Sequence, residues 1–288
     1  MSNILQRLLL FFLGIPIVVA VIILLPALHH GAAVLLILVI LGGCALELSR
    51  FFRARGIEAK PLQFIALAAG IPASAYIGRL LGGAAAMTGA LLGLVLGSSL
   101  MLIFLFASFA FVKMEAIHEV LPRANALAFA AVYPGFFGSF IVLIACEPRF
   151  STQSLLGLCI LAFSNDSLAW LVGMTLGRRR GLVAVSPNKS AAGFVGGMCG
   201  SIGMAFGCAA IFPREMSGPW WAVLAFGLAV GAAVIVGDLF ESALKRSASI
   251  KDSGDTVPGR GGFLDSFDSL LYAAPVFYGL SLLMGFFR

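Results

Sequence analysis

Charge is scarce in this chain. Only 11% of its 288 residues are Asp, Glu, Lys or Arg, against roughly 25% in a soluble domain. That excludes a protein able to cover its whole surface for water, and it leaves no stretch polar enough for a separate soluble domain of about 100 residues. Histidine is rarer still, with three residues, and the five cysteines (Cys44, Cys146, Cys159, Cys199 and Cys208) include no pair at metal-ligand spacing. They are read as small core residues. His29 and His30 likewise have no acid or Cys at ligand spacing and are read as surface histidines, and His118 as part of a charged interfacial turn that begins at Lys113. No Gly-x4-Gly-Lys-Ser/Thr is present, which excludes a P-loop enzyme. No internal repeat is visible, which argues against a transporter built from duplicated halves. No small-residue cleavage site follows the first apolar run, so that run is expected to remain as a helix.

Apolar residues dominate instead: 60% of the chain, with a mean hydropathy of +1.04. A membrane-crossing helix needs about 20 mostly apolar residues. Nine candidates are present: 7–28, 32–49, 62–81, 85–111, 124–145, 153–177, 191–212, 219–240 and 267–287. The fold expected is all-α, a polytopic integral membrane protein in one membrane domain. Residues 1–150 would form N-terminal helices, and 151–288 a C-terminal catalytic part that includes a polar loop, 241–266. Glycine spacings at Gly93/Gly97, Gly193/Gly197, Gly196/Gly200 and Gly227/Gly231 would let helices pack closely.

Loop charges give the orientation. With the N-terminus on the cytoplasmic side, the inner segments hold Arg7; Arg50, Arg53, Arg55 and Lys60; Lys113 and Arg123; Arg178, Arg179, Arg180 and Lys189; and Lys245, Arg246, Lys251 and Arg260. The outer segments hold only Arg79, Arg149, Arg214 and Arg288. This asymmetry is the positive-inside pattern. It accounts for the net charge of +6 as topology signal and attraction to anionic lipid, with no basic–aromatic motif to suggest nucleic acid. An inner cell membrane with a cytoplasmic active site is expected.

The acids gather late in the chain. If the helix ending near 240 continues, Asp238, Glu241, Ser242 and Lys245 share one of its faces. Asp265 and Asp268, three apart, share a face at the start of the last span. Between these two groups, after Lys245 and before Asp265, lie Lys251, Asp252 and the run Pro258-Gly259-Arg260-Gly261-Gly262. Carboxylates suited to Mg²⁺, bases suited to phosphate and glycine-rich backbone together point to a nucleoside triphosphate. Asp166 stands apart. It lies within an apolar span, where a carboxylate costs about 2.5–3.5 kcal/mol, and intramembrane acids there are functional by default.

The spacing Ser242-x-x-Lys245-Arg246-x4-Lys251-Asp252-x-Gly254-x3-Pro258-Gly259-Arg260-Gly261-Gly262-x-x-Asp265-x-x-Asp268 resembles the signature of phosphatidate cytidylyltransferases, or CDP-diacylglycerol synthases. Upstream, Ser164-Asn165-Asp166-Ser167-Leu168-Ala169-Trp170 with Gly177-Arg178, and Ser186-Pro187-Asn188-Lys189-Ser190-x-x-Gly193-x-x-Gly196-Gly197, resemble two further family segments. The likeness covers roughly 164–288. Before that it is generic, apart from Glu47. It implies transfer of CMP from CTP to phosphatidate, with release of pyrophosphate, at a Mg²⁺ centre with room for a second cation. It also implies the bilayer as partner and leaves a homodimer open. Asp238 and Asp265 are then metal ligands and Asp268 a third acid. Lys245, Arg246 and Lys251 are phosphate clamps beside Asp252, and Ser186, Lys189, Arg260 and Asp166 bind substrate. The chain departs from the family at Arg260 (His), Ser266 (Arg), Ala192 (Glu) and Trp170 (Tyr). Arg260 supplying the cation lost at 266 is one reading, and a different lipid acceptor is another. A CTP-dependent lipid kinase, a cytidylyltransferase for another anionic or isoprenoid lipid, and a cation-coupled transporter using Asp166 and Asp238 are the competing functions.

Overall fold

A membrane interior offers the backbone no water to bond, so a spanning chain satisfies its own N–H and C=O groups within helices. The computed structural model shows this. It describes residues 10–81, 120–147, 151–178, 180–214, 216, 218–257 and 259–286, and among these there is no strand, only two isolated bridges. Helix α1 (Ile15–Leu24) follows a π-helical turn, Leu10–Gly14. Then come α2 (Ala27–Ala54), α3 (Pro61–Leu81), α4 (Val120–Ala145), α5 (Ser151–Leu176), α6 (Ala191–Ile211), α7 (Trp220–Ser247) and α8 (Phe263–Met284). The last seven are long and apolar enough to cross a membrane, and α1 is shorter. The protein is a polytopic α-helical membrane protein. The expected span 85–111 with Gly93/Gly97, and Arg7, Lys113, His118, Arg149, Arg179, Pro258 and Arg288, lie outside the described residues.

The helices form two compact units. One comprises Met1–Pro148 with Ser247–Ser266, and the other Arg149–Arg246 with Phe267–Arg288.

In the first unit α2 packs on α3, and both pack on α4. An aromatic seam runs through the contact: Phe52 lies 5.8 Å from both Phe64 and Phe129, and Tyr133 follows at 5.9 Å from Phe129. Pro134 has no N–H for the helical ladder, and α4 passes it as a π-helical segment, Ala131–Phe136. Ion pairs tie helix ends, the largely buried Arg79 to Glu147 at 4.0 Å near the end of α3 and Arg123 to the exposed Glu58 before its start. The surface reading of the histidines needs correction. His29 is exposed, but His30 is only 2% exposed. Leu28, His29 and His30 have left-handed φ values of 52°, 51° and 58°. That turn rotates His30 inward, and the right-handed part of α2 begins only after it.

In the second unit the glycine spacings act as packing surfaces. A methyl group on Gly196 would lie 2.6 Å from Val172 Cβ, and one on Gly200 2.9 Å from the Ser164 carbonyl, so α6 lies directly on α5. Gly231 meets Ser201 in the same way and seats α7 on α6. Asn165 closes this core. Its Nδ2 donates to Ser201 Oγ at 2.8 Å and to the Gly231 carbonyl at 3.4 Å. Cys44, Cys146 and Cys208 are buried as expected, while Cys199 is exposed on α6.

Candidate functional site

The sequence places chemistry on both units. In the second, α7 does run on past residue 240 to Ser247, so Asp238, Glu241 and Lys245 stand on successive turns. Lys245 pairs with Glu241 at 2.6 Å, and Glu241 is buried. Gly237 determines what lies beside Asp238. A Cβ there would come within 2.8 Å of the Asp268 carbonyl and 3.1 Å of Ser269 Cα. Only glycine lets α7 approach α8 so closely, and that approach brings Asp238 to the level of Asp268. Asp268 is 5% exposed and feels the charges of Asp238, Asp166 and Lys245. Its Oδ1 accepts from the Ser269 amide at 2.6 Å. Asp166 on α5 and Asp238 on α7 thus lie near enough to Asp268 on α8 for their charges to act on it.

The loop from α5 to α6 supplies the opposing charge. Its turns are closed by Gly181 N–H donating to the Pro187 carbonyl at 2.8 Å, and by Lys189 N–H donating to the Ser186 carbonyl at 3.1 Å. Ser190 then caps α6, its Oγ accepting from Gly193 N–H at 3.1 Å. So held, Lys189 forms an ion pair with Asp238. Arg246 is exposed and its Nε donates to the Val185 carbonyl at 3.5 Å. Ser186 is a turn former here, and Lys189, Lys245 and Arg246 are the bases around the acids.

In the first unit the glycine-rich run packs against carboxylates of the protein itself. Residue 262 precedes α8 and, being glycine, has no capping side chain. The missing caps come from elsewhere. Glu47 on α2 accepts from Phe263 N–H (Oε1, 2.9 Å) and Leu264 N–H (Oε2, 2.9 Å). Ser253 Oγ accepts from Asp265 N–H at 3.3 Å. Asp265 Oδ2 reaches back to accept from Gly262 N–H at 3.0 Å, the reciprocal half of a capping box. It also accepts from Ser253 N–H at 2.9 Å and lies 2.8 Å from Ser253 Oγ, whose single proton it shares with Glu47. The glycines are there because carboxylates occupy the space. A Cβ on Gly254 would be 2.8 Å from Glu47 Oε1, one on Gly261 2.6 Å from Asp265 Oδ2, and one on Gly262 2.6 Å from Glu47 Cδ. Lys251, Asp252 and Arg260 stay exposed on the loop this arrangement secures. Ser266, one of the departures, turns its hydroxyl to the Gly262 carbonyl at 2.9 Å.

The sequence assigned no role to Glu47, Ser253 or Asn165. The signal for Glu47 was present: it is a carboxylate inside an apolar span, the same argument that singled out Asp166. Backbone amides, its main partners, leave no mark in a sequence. Among the described residues no three His, Cys, Asp or Glu side chains form a ready metal cage. Closed cages of that kind hold structural Zn²⁺. Mg²⁺ takes one or two carboxylates and completes its shell with water and substrate phosphates. Asp238 and Asp268 are carboxylates of the kind that could serve it.

Comparison with known proteins follows the same line. A family model described as "Cytidylyltransferase family" matches residues 5–284. The phosphatidate cytidylyltransferase of Bacillus subtilis is 36% identical over 156 residues, which is 54% of this chain and 56% of that protein. That of Thermotoga maritima is 36% identical over 163 residues, 56% of this chain and 60% of that protein. The uncharacterized protein YnbB of Escherichia coli is 39% identical over 127 residues, 43% of this chain and 42% of that protein. The chain therefore spans little more than half the length of the first two.

Proposed function

Since the chain belongs to the cytidylyltransferase family, we propose that it transfers CMP from CTP to phosphatidate, giving CDP-diacylglycerol and pyrophosphate, at the cytoplasmic face of an inner cell membrane. A phosphate oxygen of the lipid attacks the α-phosphorus of CTP. A new P–O bond forms there, and the bond to the β-phosphate oxygen breaks. Both reactants are anions, so the protein must offset their repulsion and the charge growing on the leaving pyrophosphate.

One observation carries the reading: Asp238 pairs with Lys189 and its charge acts on Asp268, which also feels Asp166. A site that gathers acids and bases at one place can hold a cation and an anion together. Asp238 would hold Mg²⁺ with Asp268, Asp166 acting on Asp268, and the ion would supply charge neutralisation on the phosphates. Asp265 is the other proposed ligand. Its carboxylate is oriented by two backbone amides donating to Oδ2, as ligating carboxylates commonly are. Lys189, Lys245 and Arg246 hold phosphate oxygens in the second unit, and Lys251 and Arg260 present further positive charge from the secured loop, with Asp252 beside them. The headgroup of phosphatidate is at the depth of these helix ends because its acyl chains remain in the bilayer.

The test is turnover by purified protein in detergent–lipid micelles with CTP, Mg²⁺ and phosphatidate. The reading expects pyrophosphate release that depends on phosphatidate. Release of CDP with a newly phosphorylated lipid would replace it with a lipid kinase.

A further inference from the structure

Glu47 is 1% exposed, and its partners are two backbone amides and two hydroxyls, with no Lys, Arg or His among them. Oε1 accepts from Phe263 N–H at 2.9 Å and Thr256 Oγ1 at 3.3 Å. Oε2 accepts from Leu264 N–H at 2.9 Å and Ser253 Oγ at 2.9 Å. A buried carboxylate without a counter-ion is costly, and here four donors and the positive end of α8 offset that cost. Those donors lie on both arms of one loop, Ser253 and Thr256 where it enters and Phe263 and Leu264 where it leaves. Between the arms the chain folds back on itself, Val257 N–H donating to the Gly261 carbonyl at 2.7 Å. Ser253 Oγ also touches Asp265 Oδ2, so the clasp includes one of the reaction's proposed acids.

We infer that Glu47 is a positioning residue: from α2 it clasps both arms of loop 253–264 and so sets where Lys251, Arg260 and Asp265 stand for the nucleotide. This rests on the proposed cytidylyl transfer for the identity of the nucleotide, but the clasp itself does not. The N-terminal helices then belong to the reaction apparatus through a residue that never touches substrate.

Glu47→Gln tests this with almost no change of shape. Gln has one acceptor oxygen, and each Glu47 oxygen takes a backbone N–H, so either amide orientation sets an NH2 group against a main-chain donor. Trypsin reads the loop directly, since Lys251 and Arg260 are its cleavage points. The clasp expects cleavage at these two residues to speed up about tenfold or more, because local opening governs proteolysis. It also expects KM for CTP to rise about tenfold while KM for phosphatidate stays within about twofold. Ser253→Ala should move both readouts the same way by less, and it serves as the test if Glu47→Gln does not fold. Wild-type cleavage rates in either folded variant, or a loss confined to kcat with KM for CTP unchanged, would overturn the inference. If the wild-type protein turns over no CTP, the proposed reaction has failed and cleavage alone decides the clasp.

Discussion

One methyl group on residue 237 separates catalysis from stability. In Gly237→Ala the new Cβ would sit 2.8 Å from the Asp268 carbonyl, 2.9 Å from Tyr272 Cβ and 3.1 Å from Ser269 Cα. Two of these atoms are main chain, so no rotamer change relieves the contact, and α7 must move away from α8. Ordinary contact distance is about 3.5–4.0 Å, so the shift is about 0.5–1 Å. Overpacking of this kind costs about 1–3 kcal/mol, while replacing glycine by alanine within a helix returns about 1 kcal/mol. The net loss of stability is about 0–2 kcal/mol. Asp238 is the next residue, and its displacement relative to Asp268 by such a distance is expected to cost on the order of a hundredfold in turnover. Thermal unfolding in detergent and phosphatidate-dependent pyrophosphate release measure the two effects on one sample. Gly203→Ala is the control, since nothing lies within 4 Å of its added Cβ. It should leave turnover unchanged and raise stability by a fraction of a kcal/mol to about 1 kcal/mol. Wild-type turnover in Gly237→Ala would refute the argument that the close approach at this glycine sets the acid geometry.

Other expectations follow from the same contacts. Lys189→Met removes the cation paired with Asp238 and should raise KM for CTP by about 10–100-fold, the scale of one charge-assisted contact; an unchanged KM in steady-state kinetics would remove Lys189 from the clamp. Gly262→Ala puts a methyl group against Ser253 Oγ and Glu47 Oε2 and should open the loop to trypsin at least as far as Glu47→Gln does. Asn165→Leu leaves the Ser201 and Gly231 polar groups without their donor, which should destabilise the protein by about 1–3 kcal/mol in detergent unfolding, and a neutral result would make that bond dispensable.

Much of the architecture could be read from the chain, for a physical reason. Lipid makes each crossing segment a helix, and helices in lipid are visible as apolar runs. Eight of the nine expected spans correspond to helices among the described residues. The ends were less legible. Helix α7 continues beyond its apolar stretch because Glu241 and Lys245 pair along it, and α2 starts with a left-handed turn that no composition reveals. Proximity of charge was legible where acids stand out against a hydrophobic background, as at Asp238 and Asp268. Partners were hidden where a side chain answers to the main chain. Glu47 and Leu264 are far apart in sequence, and nothing in the residue type at 263 or 264 advertises an amide that needs an acceptor. The carboxylates packed against Gly254, Gly261 and Gly262 likewise leave no mark in the run itself.

The most direct measurement follows the label from CTP in the wild-type protein and in Asp238→Asn. With CTP labelled at the α-phosphate, the account predicts that the wild-type protein moves label onto lipid in step with pyrophosphate, and that Asp238→Asn folds yet transfers at least about a hundredfold less. Label that stays in water-soluble CDP, or an Asp238→Asn variant that transfers as fast as the wild type, would contradict it.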